Sequence, residues 1–454
     1  MRSFALGLVL LLGVSCASDP GPQPSLDPQP TSTAASDASA KPAPKADPTL
    51  PPRNAFFGNP DRIAPQLSPD GKHLAFLAPV EGVMNVWVGP ASDPTTAKPV
   101  TKETKRGLRQ YFWTILPDQL VYMQDQGGDE NFHLYGVDVT KGTVTDLTAL
   151  DGVRAQVVGR SHKVPGKLLV GLNDRDKRHH DVYEIDVKTA KRKLVFKNEE
   201  GYEPTADLDL KVRVATKMQP DASVDLVAVT PDGKTKPLAK IPTEDALGTG
   251  VLDFDKTGKV LRLLDSRGRD KSALVSLDPA KGTVTVLHDP PKADVSDTLV
   301  HPTERTIQAV ASNYERREWT FLDKSIEADF AALAKADRGD VQIVSRTLDD
   351  KTWVVAYLRD DGPVRYHLFD KKAQKTTFLF SASSSLEKLK LVPMPPRVIP
   401  SRDGLSLVSY LTLPAASDPD GDGKPDQPVP LVLLVHGGPW ARDAWGYNPM
   451  HQWL

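Results

Sequence analysis

Residues 431–454 read LVLLVHGGPWARDAWGYNPMHQWL. Leu431 to Val435 form an unbroken apolar run without period-two alternation, the pattern of a strand buried on both faces of a parallel sheet. The run stops at His436-Gly437-Gly438-Pro439. Two residues without Cβ allow a tight turn and leave their backbone N–H groups open to a ligand, which is what stabilising an oxyanion requires. Those four letters alone also describe a plain strand-to-loop turn.

The longer run is more specific. It resembles the start of the catalytic domain in the prolyl oligopeptidase family of serine peptidases, in particular the acylaminoacyl-peptidase and dipeptidyl-aminopeptidase branch. There HGGPW-x-RD-x-WGYNP-x-HQWL recurs, matched here by Pro439, Trp440, Arg442, Asp443, Trp445, Gly446, Tyr447, Asn448, Pro449, His451, Gln452 and Trp453. The resemblance implies an α/β-hydrolase in which the HGG loop follows the third strand and a later G-x-S-x-G elbow supplies the nucleophile. A Ser would attack the scissile carbonyl, a His would act as base and an Asp would orient it. Only the oxyanion side carries over: the N–H of Gly438, or of Gly437, with His436 and Pro439 shaping the loop. No G-x-S-x-G occurs in these 454 residues, so no catalytic triad member is assigned in this chain. The expectation is the amino-terminal portion of a peptidase acting on short peptides, truncated before the nucleophile and inactive alone, with a complementary chain as one way to complete it. The alternative is a non-catalytic, lipid-anchored propeller that binds peptides or partner proteins.

Working outward, Val398 to Gly404 followed by Leu405 to Leu413 reads as a hairpin around an Arg-Asp-Gly turn, and resembles the family's catalytic-domain opening. The domain boundary is expected near 385–396, with residues 386–454 as the start of an incomplete hydrolase domain. Between hairpin and HGG strand, Asp418, Asp420, Asp422 and Asp426 occupy the first, third, fifth and ninth places of a loop with Gly423 at the sixth. Ca²⁺ wants several hard oxygens on a sharply turned backbone. The twelfth place is Val429 rather than Glu, so the expectation is weak Ca²⁺ binding or an exposed acidic turn.

From residue 56 to 385 one theme repeats: turn, short apolar strand, polar turn, and a strand ending in an aromatic. Examples are Leu74-Ala75-Phe76 with Asn85-Val86-Trp87-Val88, and Leu120-Val121-Tyr122 with His133-Leu134-Tyr135. A period of about 40–55 residues is that of four-stranded propeller blades. The fold class is therefore mainly β: roughly seven blades of a β-propeller, then the first strands of the α/β-hydrolase domain. A β-sandwich shares the turn pattern, but no linker divides this stretch into the several domains a sandwich of this length needs. The resemblance also implies a propeller, because these peptidases carry one before the hydrolase domain. Ser325 to Arg338 reads as a helix at a blade edge. His179-His180 beside Asp174, Asp176 and Asp181 reads as a solvated blade turn ahead of a metal cluster, and Glu199-Glu200 as a strand end ahead of a grip on a substrate amino terminus.

At the other end, Met1-Arg2, the apolar Phe4 to Leu12 and Gly13-Val14-Ser15-Cys16 form a signal peptide, residues 1–15. Small residues before Cys16 resemble a bacterial lipobox, which implies lipidation of Cys16 and a cell-envelope location, anchored to a membrane. An ordinary secretory signal is the alternative. Residues 16–55 form a Pro/Ser/Ala-rich linker too poor in apolar side chains to offset the entropy of ordering. A length of 454 residues exceeds what one core supports, and Cys16 as the single cysteine excludes an internal disulfide. A net charge of −2 with no basic cluster gives no basis for a nucleic-acid partner.

Overall fold

The computed structural model describes residues 50–438 and 440–454. Cys16, the signal peptide, most of the linker and Pro439 lie outside these residues. The molecule is a seven-bladed β-propeller followed by a carboxy-terminal segment. The blades span 63–99, 110–146, 155–196, 203–241, 250–288, 295–321 and 340–381. Each is an antiparallel meander of sequence-consecutive strands, four-stranded except for the sixth, which has three.

The apolar runs are explained by where they sit. Middle strands such as His73–Val80 lie between two neighbouring blades, so both faces are covered and Leu74, Ala75, Phe76 and Leu77 are all buried. Outer strands such as Thr283–His288 face solvent and carry polar or exposed residues. The core is accordingly not one mass but seven apolar clusters, one in each cleft between adjacent blades.

Polar staples cross the same clefts at the blade period. Trp113 Nε1 donates to the Gln66 carbonyl at 3.1 Å, 47 residues away. The Arg262 guanidinium donates to the Arg305 carbonyl at 2.6 Å over 43 residues, and Arg160 and Arg346 make equivalent bonds to Trp113 and Val300. Burying a backbone acceptor without a partner is costly, and each arginine removes that cost where two blades meet.

In the sixth blade the fourth strand is replaced by helix α2, Glu327–Ala336, where the sequence predicts a helix. Ile326, Phe330 and Leu333 pack with Trp353 and Phe369 of blade 7, and Phe330 meets the rings of Trp319 and Phe321 at 5.6 and 4.9 Å. The helix closes the cleft that a missing strand would leave open.

The ring closes between blades 1 and 7 without strand exchange, since every strand of each blade comes from its own end of the propeller. Leu67 N–H donates to Ser345 Oγ at 3.0 Å, Asp61 N–H to the Ala382 carbonyl at 2.8 Å, and Ser384 N–H to Asp61 Oδ2 at 2.6 Å. Phe76 and Phe380 pack at a 57° tilt across the seam, with the Arg62 guanidinium over both rings.

After blade 7 the predicted hairpin is present as Pro396–Pro400 paired with Ser406–Tyr410, turning at Gly404 with φ +87°. One expectation fails: Leu431 to Val435 are not a buried strand. They are irregular, with Leu431 and Val435 82% and 77% exposed. A parallel-sheet strand exists only by pairing with neighbours, and among the described residues none pairs with this run. Apolar composition specified a burial that no neighbouring element supplies.

Candidate functional site

The HGG turn keeps the backbone features that an oxyanion loop needs. Gly438 has φ +153°, and a Cβ there would lie 2.9 Å from the Trp440 nitrogen, so the turn requires glycine at this position. A Cβ on Gly437 would meet nothing within 4 Å. Among the described residues neither glycine's N–H donates a backbone hydrogen bond. The exposed His436 places Nδ1 3.0 Å from the Gly437 carbonyl and so braces the turn locally.

Beyond the turn the chain folds back onto the propeller, and the matched motif residues make the contacts. Arg442 donates to the carbonyls of Asn313 and Tyr314, the latter at 2.5 Å, in the loop between the second and third strands of blade 6. Tyr410 Oη donates to the adjoining Glu315 carbonyl at 2.8 Å and accepts from Arg442 at 3.4 Å. The Arg316 guanidinium lies 3.7 Å from the centre of the Trp445 ring, while Asp340 holds it from the side at 3.0 Å. Tyr447 N–H donates to the Arg359 carbonyl of blade 7 at 2.6 Å. Burial pushes the Tyr447 hydroxyl up to about 12. Helix α3, Pro449–Trp453, is capped by the Asn448 side chain, with Pro449 pre-set at its first position. The Gln452 side chain then pairs with both backbone groups of Val392, at 3.1 and 2.7 Å.

Helix α1, Arg53–Phe57, completes the arrangement from the opposite end of the chain: Phe56 and Phe57 pack edge-on against Trp453 at 5.8 and 6.1 Å. His451 Nδ1 meets Thr412 Oγ1 at 3.1 Å. Burial lowers its pKa from the ordinary histidine value, opposed by the Asp443 charge.

Between the blade 6 and 7 loops and this segment lies a cleft of about 670 Å³, lined among others by Arg316, Arg338, Arg359, Asp361, Asp420 and Trp445. Its guanidinium groups are already paired: Arg338 and Arg359 share Asp361 at 2.6 and 3.1 Å. The HGG turn does not line it.

The acidic loop brings Asp418, Asp420 and Asp422 together, with one carboxylate oxygen from each within 4.8 Å of the others. That spacing fits oxygens around an ion bound at roughly 2.3–2.6 Å. Asp418 Oδ1 is buried without a hydrogen-bond partner, and positive φ at Gly421 and Gly423 makes the turn. Asp426 lies outside the group; its N–H instead ties back to the Ser417 carbonyl at 2.8 Å. His179, His180 and the nearby aspartates do not converge: Asp181 is held by Arg175 at 2.7 Å and Asp176 by Arg178 at 2.8 Å. Glu199 and Glu200 each face a lysine, Lys197 and Lys217.

Sequence reasoning matched Arg442, Trp445, Tyr447 and Gln452 to a motif without giving them a role. The spacing of Arg442, Trp445 and Tyr447 within the matched run was the available signal. It could not name the carbonyls at 313, 314 and 359 that receive them.

Comparison with known proteins gives relatives of greater length. No model of a protein family matches the chain. It is 47% identical over 405 residues to dipeptidyl aminopeptidase BIII of Pseudoxanthomonas mexicana, covering 88% of this chain and 58% of that protein. It is 28% identical over 437 residues to dipeptidyl peptidase family member 6 of Caenorhabditis elegans, again covering 58% of the relative. The chain thus spans somewhat over half the length of these curated relatives. Among solved structures it resembles a puromycin-hydrolysing peptidase of Mycobacterium tuberculosis with a TM-score of 0.60 at 13% identity, covering 89% of this chain and 67% of that one. A puromycin hydrolase gives 0.59 at 15%, covering 88% and 66%. A prolyl endopeptidase gives 0.55 at 10%, covering 80% and 56%. At these identities the structural likeness concerns the fold.

Proposed function

The chain belongs to the prolyl oligopeptidase family, and from that premise we propose that it forms the propeller and oxyanion side of a serine-type peptidase acting on short peptides near their amino terminus. The observation that carries this reading is the HGG turn. Gly438 holds a conformation only glycine adopts easily and makes no backbone hydrogen bond through its N–H among the described residues, so that N–H would serve as a donor to the oxygen on which charge develops in acyl transfer. The dipeptidyl-aminopeptidase relative supports the substrate class. The nucleophile, base and orienting acid are assigned to no residue of these 454, so the chain alone is expected to be inactive.

A fluorophosphonate probe tests this on the purified chain and on extracts of its native cell. Silence of the purified chain with a labelled band of full-length peptidase size in the extract is the expected result. Labelling of the 454-residue chain itself refutes the assignment of no nucleophile. Silence in both favours a non-catalytic propeller that binds peptides or partner proteins.

Two further properties belong to the same proposal. Export and lipidation at Cys16 would place the enzyme on the cell envelope, and Cys16→Ser should then release it from the membrane fraction; retention there counts against the anchor. Weak Ca²⁺ binding by Asp418, Asp420 and Asp422, supported by their convergence, would stiffen the loop between hairpin and HGG turn.

A further inference from the structure

We propose that residues 440–454 act as a clasp that fixes the HGG turn to the propeller, and that Arg442 is its positioning residue. Its relevance to catalysis rests on the oxyanion reading above; the clasp itself does not. Arg442 lies four residues after Gly438, too short a stretch to let the turn move far from wherever the guanidinium is held. That guanidinium bridges two successive blade 6 carbonyls, of Asn313 and Tyr314, and the Tyr410 hydroxyl. Two donors in a fixed fork match two acceptors in a fixed loop, which a lysine cannot reproduce.

Further attachments follow within ten residues: Trp445 under Arg316, Tyr447 on the Arg359 carbonyl, and Gln452 on Val392. All fall on loops of blades 6 and 7 or on the connector after blade 7. Trp453 then seats α1, so the segment is gripped from both chain ends. The polypeptide has thus spent four motif residues on holding the turn's exit in one place. Aligning an oxyanion donor has a steep distance dependence, where a displacement of ~1 Å can cost about 100-fold in rate. Movement of the Asn313–Arg316 loop would reach the oxyanion donors through Arg442.

The test uses hydrogen exchange on the 454-residue chain and kinetics on this chain joined to the part of dipeptidyl aminopeptidase BIII that it does not span. Arg442→Ala should speed amide exchange across 440–448 about tenfold or more and leave the middle strands of blades 6 and 7 unchanged. Arg442→Lys should fail to restore protection. In the joined chain kcat should fall about 10- to 100-fold with KM within about twofold, because the donor acts on the transition state. Unchanged exchange in Arg442→Ala refutes the clasp whatever the peptidase result. If that variant fails to fold, Tyr410→Phe, which removes only the bridging hydroxyl, should give a smaller acceleration over the same amides, and its absence refutes the clasp equally. Accelerated exchange with an equal kcat in variant and parent overturns the positioning role, while a joined chain with no activity at all fails the peptidase reading and leaves the exchange result to decide the clasp.

Discussion

Helix α2 is argued above to seal the cleft left by the missing fourth strand of blade 6, and Phe330 is where that claim is most exposed to measurement. Its side chain is 8% exposed and touches rings from both blades: Trp319 and Phe321 of blade 6, and Trp353 of blade 7 at 6.2 Å. Truncating a buried Phe to Ala costs ~3–5 kcal/mol, combining lost transfer energy with the cavity left behind. The wall of that cavity is built from strands and indoles that cannot collapse inward, so relaxation is limited. Aromatic pairing adds ~0.5–1.5 kcal/mol per well-placed partner. Phe330→Ala should therefore cost about 4 kcal/mol in denaturant unfolding followed by tryptophan fluorescence, and Phe330→Leu about 1–2 kcal/mol because most of the volume remains. The exposed Leu247 provides the control, with Leu247→Ala within about 0.5 kcal/mol. A cost below about 1 kcal/mol for Phe330→Ala would mean the helix merely lies against the blade edge, and the reasoning would be wrong.

Two other outcomes are expected. The folded-state pKa of His451 lies below its unfolded value through burial, so its neutral form favours folding; that contribution is complete above the unfolded value near 6.5 and is lost as pH falls toward and through the folded one. Protection factors in helix α3, corrected for the intrinsic pH dependence of amide exchange, should be lower at pH 5 than at pH 7, and His451→Gln should flatten the difference; a parent with pH-independent protection contradicts this. Adding millimolar Ca²⁺ should raise the melting temperature of the parent and not of Asp420→Asn, with ~2.7 kcal/mol available only at a hundredfold excess over Kd. Equal shifts in both proteins rule out the loop as the site.

The propeller was legible because its signals are local and repeated. The Ser68-Pro69-Asp70-Gly71 turn and the run Leu74-Ala75-Phe76 announce a strand that is buried on both faces, and six further copies leave little choice of architecture. The helix at 327–336 was legible too, since Ala, Leu and Phe at helical spacing replace the alternation of its neighbours. The strand expected at Leu431 to Val435 was misread because apolar composition reports what a residue would bury against, and the burying partner is a long-range property no run of five letters contains. Arg442 was invisible as a docking residue for a related reason. Its acceptors are main-chain carbonyls, which carry no sequence signature.

The seam between blades 1 and 7 has a consequence for how the protein is made. Every other cleft joins blades adjacent in sequence and can fill soon after the second of them leaves the ribosome. The seam alone joins Leu67 to Ser345, 278 residues apart, and at ~5–20 residues per second that interval is about 15–55 s of synthesis. Throughout it, Leu67, Leu74 and Phe76 of blade 1 lack their apolar partners on blade 7. Among the clefts of the propeller this one closes the longest loop, and so costs the most entropy. The seam should therefore be the last of the propeller's clefts to close, and during that wait the first blade is the part of the nascent propeller most in need of a chaperone.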